Sequence, residues 1–257
     1  MLGMEWKRVS TRPAFWLAIV VGVVLAVVPA IQMWPQHVTE DYYYTYPRSA
    51  FISWFYFDGA GLYYIYALLV PILASIAFAD SYAEDANTGF IKNILTKVEK
   101  KKYFLVRYVF NFVIGGVVAV FPLILNFLLE MAAYPLIENN YYFGMNLVHS
   151  ENLLPNLFYE HPLAYVLVVV LLIFLLGGML ASLGLAFSFL VKNRYIVLIL
   201  PLLIFMALDV LIPFSHSISA VFLYNGSWNF AGTAYLAVGI FGSFIWCIVQ
   251  GYKHETI

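Results

Sequence analysis

An all-α membrane protein with six transmembrane helices is the fold this sequence predicts, on three observations. Of 257 residues, 63% are hydrophobic and 11% charged, well under the roughly one quarter usual in soluble domains. Mean hydropathy is +0.86. The charges are unevenly spread, which leaves uncharged runs at 13–39, 59–79, 108–129, 161–191, 195–208 and 210–252, and a bilayer span needs about 20 mostly apolar residues. None of the runs alternates polar and apolar residues as the strands of a membrane barrel do.

Spans are predicted near Ala14–Gln32, Gly61–Ala79, Tyr108–Leu129, Leu163–Leu190, Tyr195–Ile212 and Ala231–Gly251, in a single transmembrane domain over 1–257. The first run follows Lys7, Arg8 and Arg12, as a signal peptide would, but its length and the lack of a small-x-small cleavage site in AVVPAIQ favour a span. Basic loop residues stay cytoplasmic. Twelve of the 13 Lys and Arg residues flank the spans on one side, and only Arg48 lies on the other. A multi-pass cell-membrane protein with both termini cytoplasmic is the expectation.

Residues 1–13, containing MLGMEWKRVSTR, suit either a short helix in the headgroup region or a basic flank that fixes topology. On the outer side, loop 33–60 carries Tyr42, Tyr43, Tyr44, Tyr46, Trp54, Phe55, Tyr56 and Phe57, expected as an interfacial aromatic belt. Loop 132–162 holds Glu138, Glu151 and Glu160 without Lys or Arg, and 213–230 is uncharged and rich in turn residues. A segment of that kind re-enters the bilayer only where protein buries its backbone. Small residues recur four apart at Gly22/Ala26, Gly115/Ala119, Gly177/Ala181, Gly178/Ser182 and Gly239/Ser243, a spacing that lets helices approach closely.

Sites of chemistry are scarce. The sequence has no Gly-Lys pair and hence no phosphate loop, and neither His-Glu-x-x-His, Gly-x-Ser-x-Gly nor Cys-x-x-Cys occurs. No enzyme activity, cofactor or metal is therefore assigned. His37, His149, His161 and His216 fall in outer loops at spacings that match no ligand motif. The lone cysteine, Cys247, excludes an intramolecular disulfide and reads as a small buried residue. Asp209, in LIFMALDVLIPF, is the acidic residue well inside a span. It lies roughly 22 Å along a helix from Arg194, about three quarters of the way across the core. It is either a pathway residue or a hydrated, hydrogen-bonded carboxylate near the outer interface.

The charge that the spans lack is concentrated in EDANTGFIKNILTKVEKKKYFLVR, residues 84–107, which holds nine of the 27 Asp, Glu, Lys and Arg residues. Ser81-Tyr82-Ala83-Glu84 matches a capping box, so a helix is expected to start there. Gly89 permits a bend. Phe90, Ile91, Ile94 and Leu95 then share one side of a short amphipathic helix, away from Lys92, Asn93 and Lys97. Its apolar side has two candidate partners, the lipid headgroup layer and the groove of a cytoplasmic protein.

These residues resemble the membrane-spanning subunits of type-2 ABC transporters, mostly bacterial exporters. That family carries an acidic residue, a Gly a few positions on, a leucine-rich turn and a basic stretch between spans two and three. Here Glu84 and Asp85, Gly89, FIKNIL and KKKYFLVR match in that order. One departure is Val98, where the family often has Pro. The resemblance implies that Glu84, Asp85, Gly89, Phe90, Ile91, Ile94 and Leu95 form a coupling helix seated on a separate cytoplasmic ABC ATPase subunit. ATP and Mg would be bound by that partner, not by this chain. It further implies two permease copies with two ATPases, an N-terminal elbow helix and a re-entrant element between spans five and six.

The function so expected is ATP-driven export. Acidic, aromatic-rich outer loops around a nearly uncharged interior suit a hydrophobic or cationic amphipathic cargo, such as an antimicrobial peptide or drug. Membrane lipid is an expected partner and nucleic acid is not. An ATP-independent carrier or channel is the alternative, for which Asp209 is the sole intramembrane acid in view.

Overall fold

A computed structural model describes residues 2–34, 49–57, 61–140, 147–191, 193–224 and 228–253. It is 80% helical, and the described residues contain no strand. His37, Tyr42, Tyr43, Tyr44, Tyr46, Arg48 and Lys192 lie outside the described residues.

Helix α1 (Leu2–Ser10) precedes the first long helix, α2 (Pro13–Met33), which starts with Pro at a position whose missing N–H costs nothing. Short α3 (Ala50–Ser53) and a 3₁₀ turn (Phe55–Phe57) lead to α4 (Leu62–Ile76), α5 (Ser81–Asn87) and α6 (Phe90–Leu95). Helix α7 (Lys100–Ala133) runs through the basic stretch, so it is two turns longer at its start than the apolar run. Charges end a span but not a helix. Then come α8 (Pro155–Glu160), α9 (Pro162–Phe187), α10 (Arg194–Leu211), α11 (Ile218–Phe222), α12 (Phe230–Leu236), a π-helical turn (Ala237–Gly242) and α13 (Ser243–Lys253). Six helical stretches are long and apolar enough to cross a membrane: Pro13–Gln32, Leu62–Asn87, Lys100–Ala133, Pro162–Phe187, Arg194–Leu211 and Phe230–Gln250. This is the pattern of a multi-pass membrane protein.

Helix α5 begins at Ser81 as expected, but the capping box does not form. Asp80 precedes α5 in a helical conformation and caps nothing with its side chain, because α4 arrives already helical and Ala79 and Ser81 donate back to Ser75 and Phe78. The N–H of Glu84, which the capping box would take, already bonds to Asp80 O, and Ser81 Oγ is buried without a hydrogen-bond partner. Span two therefore extends to Asn87.

Helices α4, α7 and α9 form the centre, with 61, 56 and 56% of their most apolar stretches buried, against 17% for α10 and 22% for the last span. The centre depends on small residues. A Cβ on Gly115 of α7 would stand 2.3 Å from Ala181 Cβ, and one on Gly177 of α9 would stand 2.4 Å from Ala119 Cβ. Two of the expected small-residue pairs thus face each other within one chain, which lets the backbones touch. On either side of them, Phe174 lies over Gly116 and Phe112 over Gly178, with the two rings 5.9 Å apart edge to face.

At the end of the bundle away from α1, Trp54 and Phe55 are fully buried rather than forming an interfacial belt. Trp54 Nε1 donates to Leu123 O (3.0 Å) and Tyr66 Oη to Ala119 O (2.7 Å), around Pro122, where the α7 ladder lacks a donor. Asn126 joins three elements there, accepting from Phe55 N (2.9 Å) and donating to Ala26 O (2.9 Å).

Candidate functional site

The segment 84–95 sits at the end of the bundle that carries α1 and the start of α7. Helix α5 ends where Thr88 Oγ1 donates to Glu84 O (2.9 Å) and Gly89 adopts φ +70°, a left-handed conformation that glycine takes without a Cβ penalty. The chain then reverses into α6.

The apolar side of α6 is already occupied. Ile94 is buried, and Phe90, Ile91, Leu95 and Val98 pack with it against Tyr82, Tyr103, Phe104, Leu185 and Phe189. Tyr82 stacks on Phe189 with ring centroids 3.9 Å apart. Much of this face is covered within the chain by the start of α7 and the end of α9. What α5 and α6 leave exposed is a polar rim: Ala86, Asn87, Thr88, Gly89, Asn93, Thr96 and Lys97. Val98 donates its N–H to Ile94 O (3.0 Å), a bond that proline cannot make.

Asp85 is not a surface acid. It is 1% exposed, and three groups converge on it. Arg8 of α1 binds both carboxylate oxygens, Arg107 Nη1 of α7 lies 2.5 Å from Oδ2, and Tyr103 Oη donates to Oδ2 at 2.9 Å. Arg107 also reaches Glu5 of α1 at 3.3 Å, and Glu5 is itself fully buried. Arg12, at the start of α2, pairs with Asp80 (2.5 Å) and Glu84. Glu84 keeps part of its side chain in solvent and is the outermost member of the group.

Phe78 underlies the whole arrangement, with the guanidinium carbons of Arg12, Arg107 and Arg8 at 5.0, 5.6 and 6.0 Å from its centroid. Three arginines and four carboxylates from α1, α2, α4–α5 and α7 are thereby gathered together, with Glu5, Asp85 and Arg107 removed from solvent. The Arg8 guanidinium illustrates the balance: burial acts to lower its pKa, and the hydrogen bond and charge of Asp85, with Glu5, more than reverse that, so the pKa is raised. Arginine suits this position because its planar fork can serve two carboxylates and stack on an aromatic face at once.

The structure thus brings Glu84, Asp85 and Phe90 together, since Arg8 also lies 5.3 Å from the Phe90 ring. Ile91, Ile94 and Leu95 belong to the apolar packing beneath. Asp209 belongs elsewhere, at the last turn of α10, where its Oδ1 accepts the Ser219 N–H of α11 at 3.0 Å. Sequence reasoning missed Glu5, Arg8, Arg12, Asp80, Tyr103 and Arg107, treating the arginines as topology markers. Helical spacing carried part of the signal: Glu5/Arg8 are three apart on α1, and Asp80/Glu84 and Tyr103/Arg107 are each four apart; Arg12, in extended backbone ahead of α2, carried none.

No family model, curated protein or solved structure matches the chain. Among the described residues, no group of three or more His, Cys, Asp or Glu side chains could hold a metal ion. The arrangement fixes the α5–Gly89–α6 hairpin to the starts of α2 and α7 and to the end of α9.

Proposed function

We propose that this chain is the membrane-spanning subunit of an ATP-driven ABC exporter, paired with a second permease copy and worked by a separate ATPase subunit. One observation carries the reading. Asp85, buried between Arg8, Arg107 and Tyr103, makes the hairpin continuous with α1, α4 and α7. A force on its rim would move those helices as a unit rather than bend a loop. The contact with the ATPase falls on Asn87, Thr88, Asn93, Thr96 and Lys97. Phe90, Ile91, Ile94 and Leu95 act from within as the hairpin's own core. With both termini cytoplasmic, α1 serves as the elbow helix: Glu5 faces inward while Leu2 and Trp6 are exposed, which suits an apolar headgroup boundary. The buried helix α11 serves as the re-entrant element, and the cargo is hydrophobic or amphipathic.

The test is purification of the tagged chain in mild detergent from cells that carry its neighbouring reading frames. An ATPase subunit should co-purify, and Asn93→Arg with Thr96→Arg should reduce its recovery and stimulated hydrolysis at least about tenfold while the permease stays folded. Gly89→Pro, which cannot hold φ +70°, should do the same. A chain that purifies alone, or transport that survives ATP depletion and collapses with an ion gradient, would overturn the proposal.

A further inference from the structure

Between α9, α10, α11 and the last span lies a cavity of about 350 Å³, within the size range of small-molecule sites. Its wall includes Met179, Leu183, Phe205, Leu208, Ile218 and Val238. The Tyr235 hydroxyl is turned to His216 O at 2.9 Å, so the wall offers almost no polar group. An apolar cavity of this size stays dry and takes apolar ligands. Val238, in the wall, is itself exposed, so the cavity is open on the side of the last span.

A charge lies near one end of this cavity. Leu208 and Ile218 of the wall precede Asp209 and Ser219, which are joined by a carboxylate–amide bond just outside the lining, and the Asp209 charge is felt by Tyr235 of the wall. Asp209 is half-buried and has no ion-pair partner among the described residues. It stands in the last turn of α10, at the negative end of the helix dipole, so two sources of negative potential coincide there without a cation. Tyr224 responds to the same field: burial, then Tyr64, then Asp209 raise its phenol pKa.

We propose that this cavity binds a cationic amphiphile, with its hydrocarbon chain between α9, α10 and the last span and its positive head beside Asp209. A neutral chain satisfies the wall but not the carboxylate, and an anionic head is repelled by it. The role of this site in transport rests on the exporter reading, but the binding itself needs no ATPase. It narrows the cargo to single-chain or peptide-like cations that enter from the outer half of the membrane.

The chain alone, in phosphatidylcholine vesicles, would be photolabelled with dodecyltrimethylammonium carrying a diazirine at the chain end. Dodecanol and dodecyl sulfate with the same diazirine serve as comparisons, and labelled peptides are mapped by mass spectrometry. The ammonium probe should label α9 and the last span in preference to the other two. Asp209→Asn keeps an oxygen for Ser219 and should weaken ammonium labelling roughly five- to tenfold while leaving the dodecanol level unchanged. Ala234→Phe, which fills the cavity, should depress both.

Equal labelling by all three probes, or no effect of Asp209→Asn, would overturn the headgroup assignment and leave a gap filled by lipid chains. Labelling that ignores Ala234→Phe would overturn the cavity itself. Neither result bears on whether an ATPase co-purifies, so the two proposals fail separately.

Discussion

Asp85 and Glu84 are neighbours in sequence with opposite energetic standing. Asp85 is 1% exposed and held by two guanidinium groups and a phenol, whereas the Glu84 side chain keeps 37% of its surface in solvent. Removing one partner of a buried ion group strands the others, at about 3–5 kcal/mol, while exposed pairs are worth about 0–1 kcal/mol. Asp85→Ala should therefore lower the thermal unfolding midpoint in detergent by many degrees, and Glu84→Ala only slightly. The sequence marks both acids but cannot rank them. The groups that bury Asp85 arrive from residue 8, 77 positions away, and from Arg107 on the next long helix, and no local pattern encodes that meeting.

At the scale of elements, the α7–α9 contact is the least forgiving. Gly115→Leu would drive a side chain into Ala181 and into the Ala74 and Gly177 carbonyl oxygens. The backbones would have to separate, and overpacking of this kind costs about 1–3 kcal/mol or more. Gly242 has no atom within 4 Å of a new Cβ, so Gly242→Ala should be neutral or stabilising by about 0.5 kcal/mol. Chemical or thermal unfolding of the two variants, side by side, separates packing from propensity. Gly89 differs from both: a Cβ there would also meet nothing, yet φ +70° alone disfavours alanine by about 1 kcal/mol.

Much at this scale was legible beforehand. Hydropathy placed at least one end of five of the six spans within a residue of an observed helix end, and small residues four apart marked the tightest contact. Legibility failed where structure continues past the apolar signal, as in α7 through Lys100–Lys102 and in α5 beyond Ala79. It also failed for Trp54 and Phe55, because aromatic composition does not distinguish an interfacial ring from a buried one.

For the whole molecule, the ion group makes α1 part of the fold rather than an appendage. A chain lacking residues 1–10 loses Glu5 and Arg8, which leaves Arg107 and Asp85 with each other and with water entering beside them. Its unfolding midpoint should fall on the order of 10 °C, whereas Trp6→Ala, which removes an exposed side chain, should change the midpoint little. If the truncated chain melts like the full one, α1 is not held by these charges.

The π turn at Ala237–Gly242 sets the phase of the last span. In an α-helix, positions four apart fall about 40° out of line at each step, yet Gly239, Ser243 and Cys247 all face inward. The wider turn absorbs the first of those slips. It leaves Ile240 O accepting from Tyr108 Oη at 2.7 Å and Ser243 Oγ within 3.0 Å of that hydroxyl. Phe241, Ile245 and Val249 then stay on the outward side. The bulge is a built-in rotation of one helix segment against the next, and it decides which residues of the final span the rest of the protein can touch.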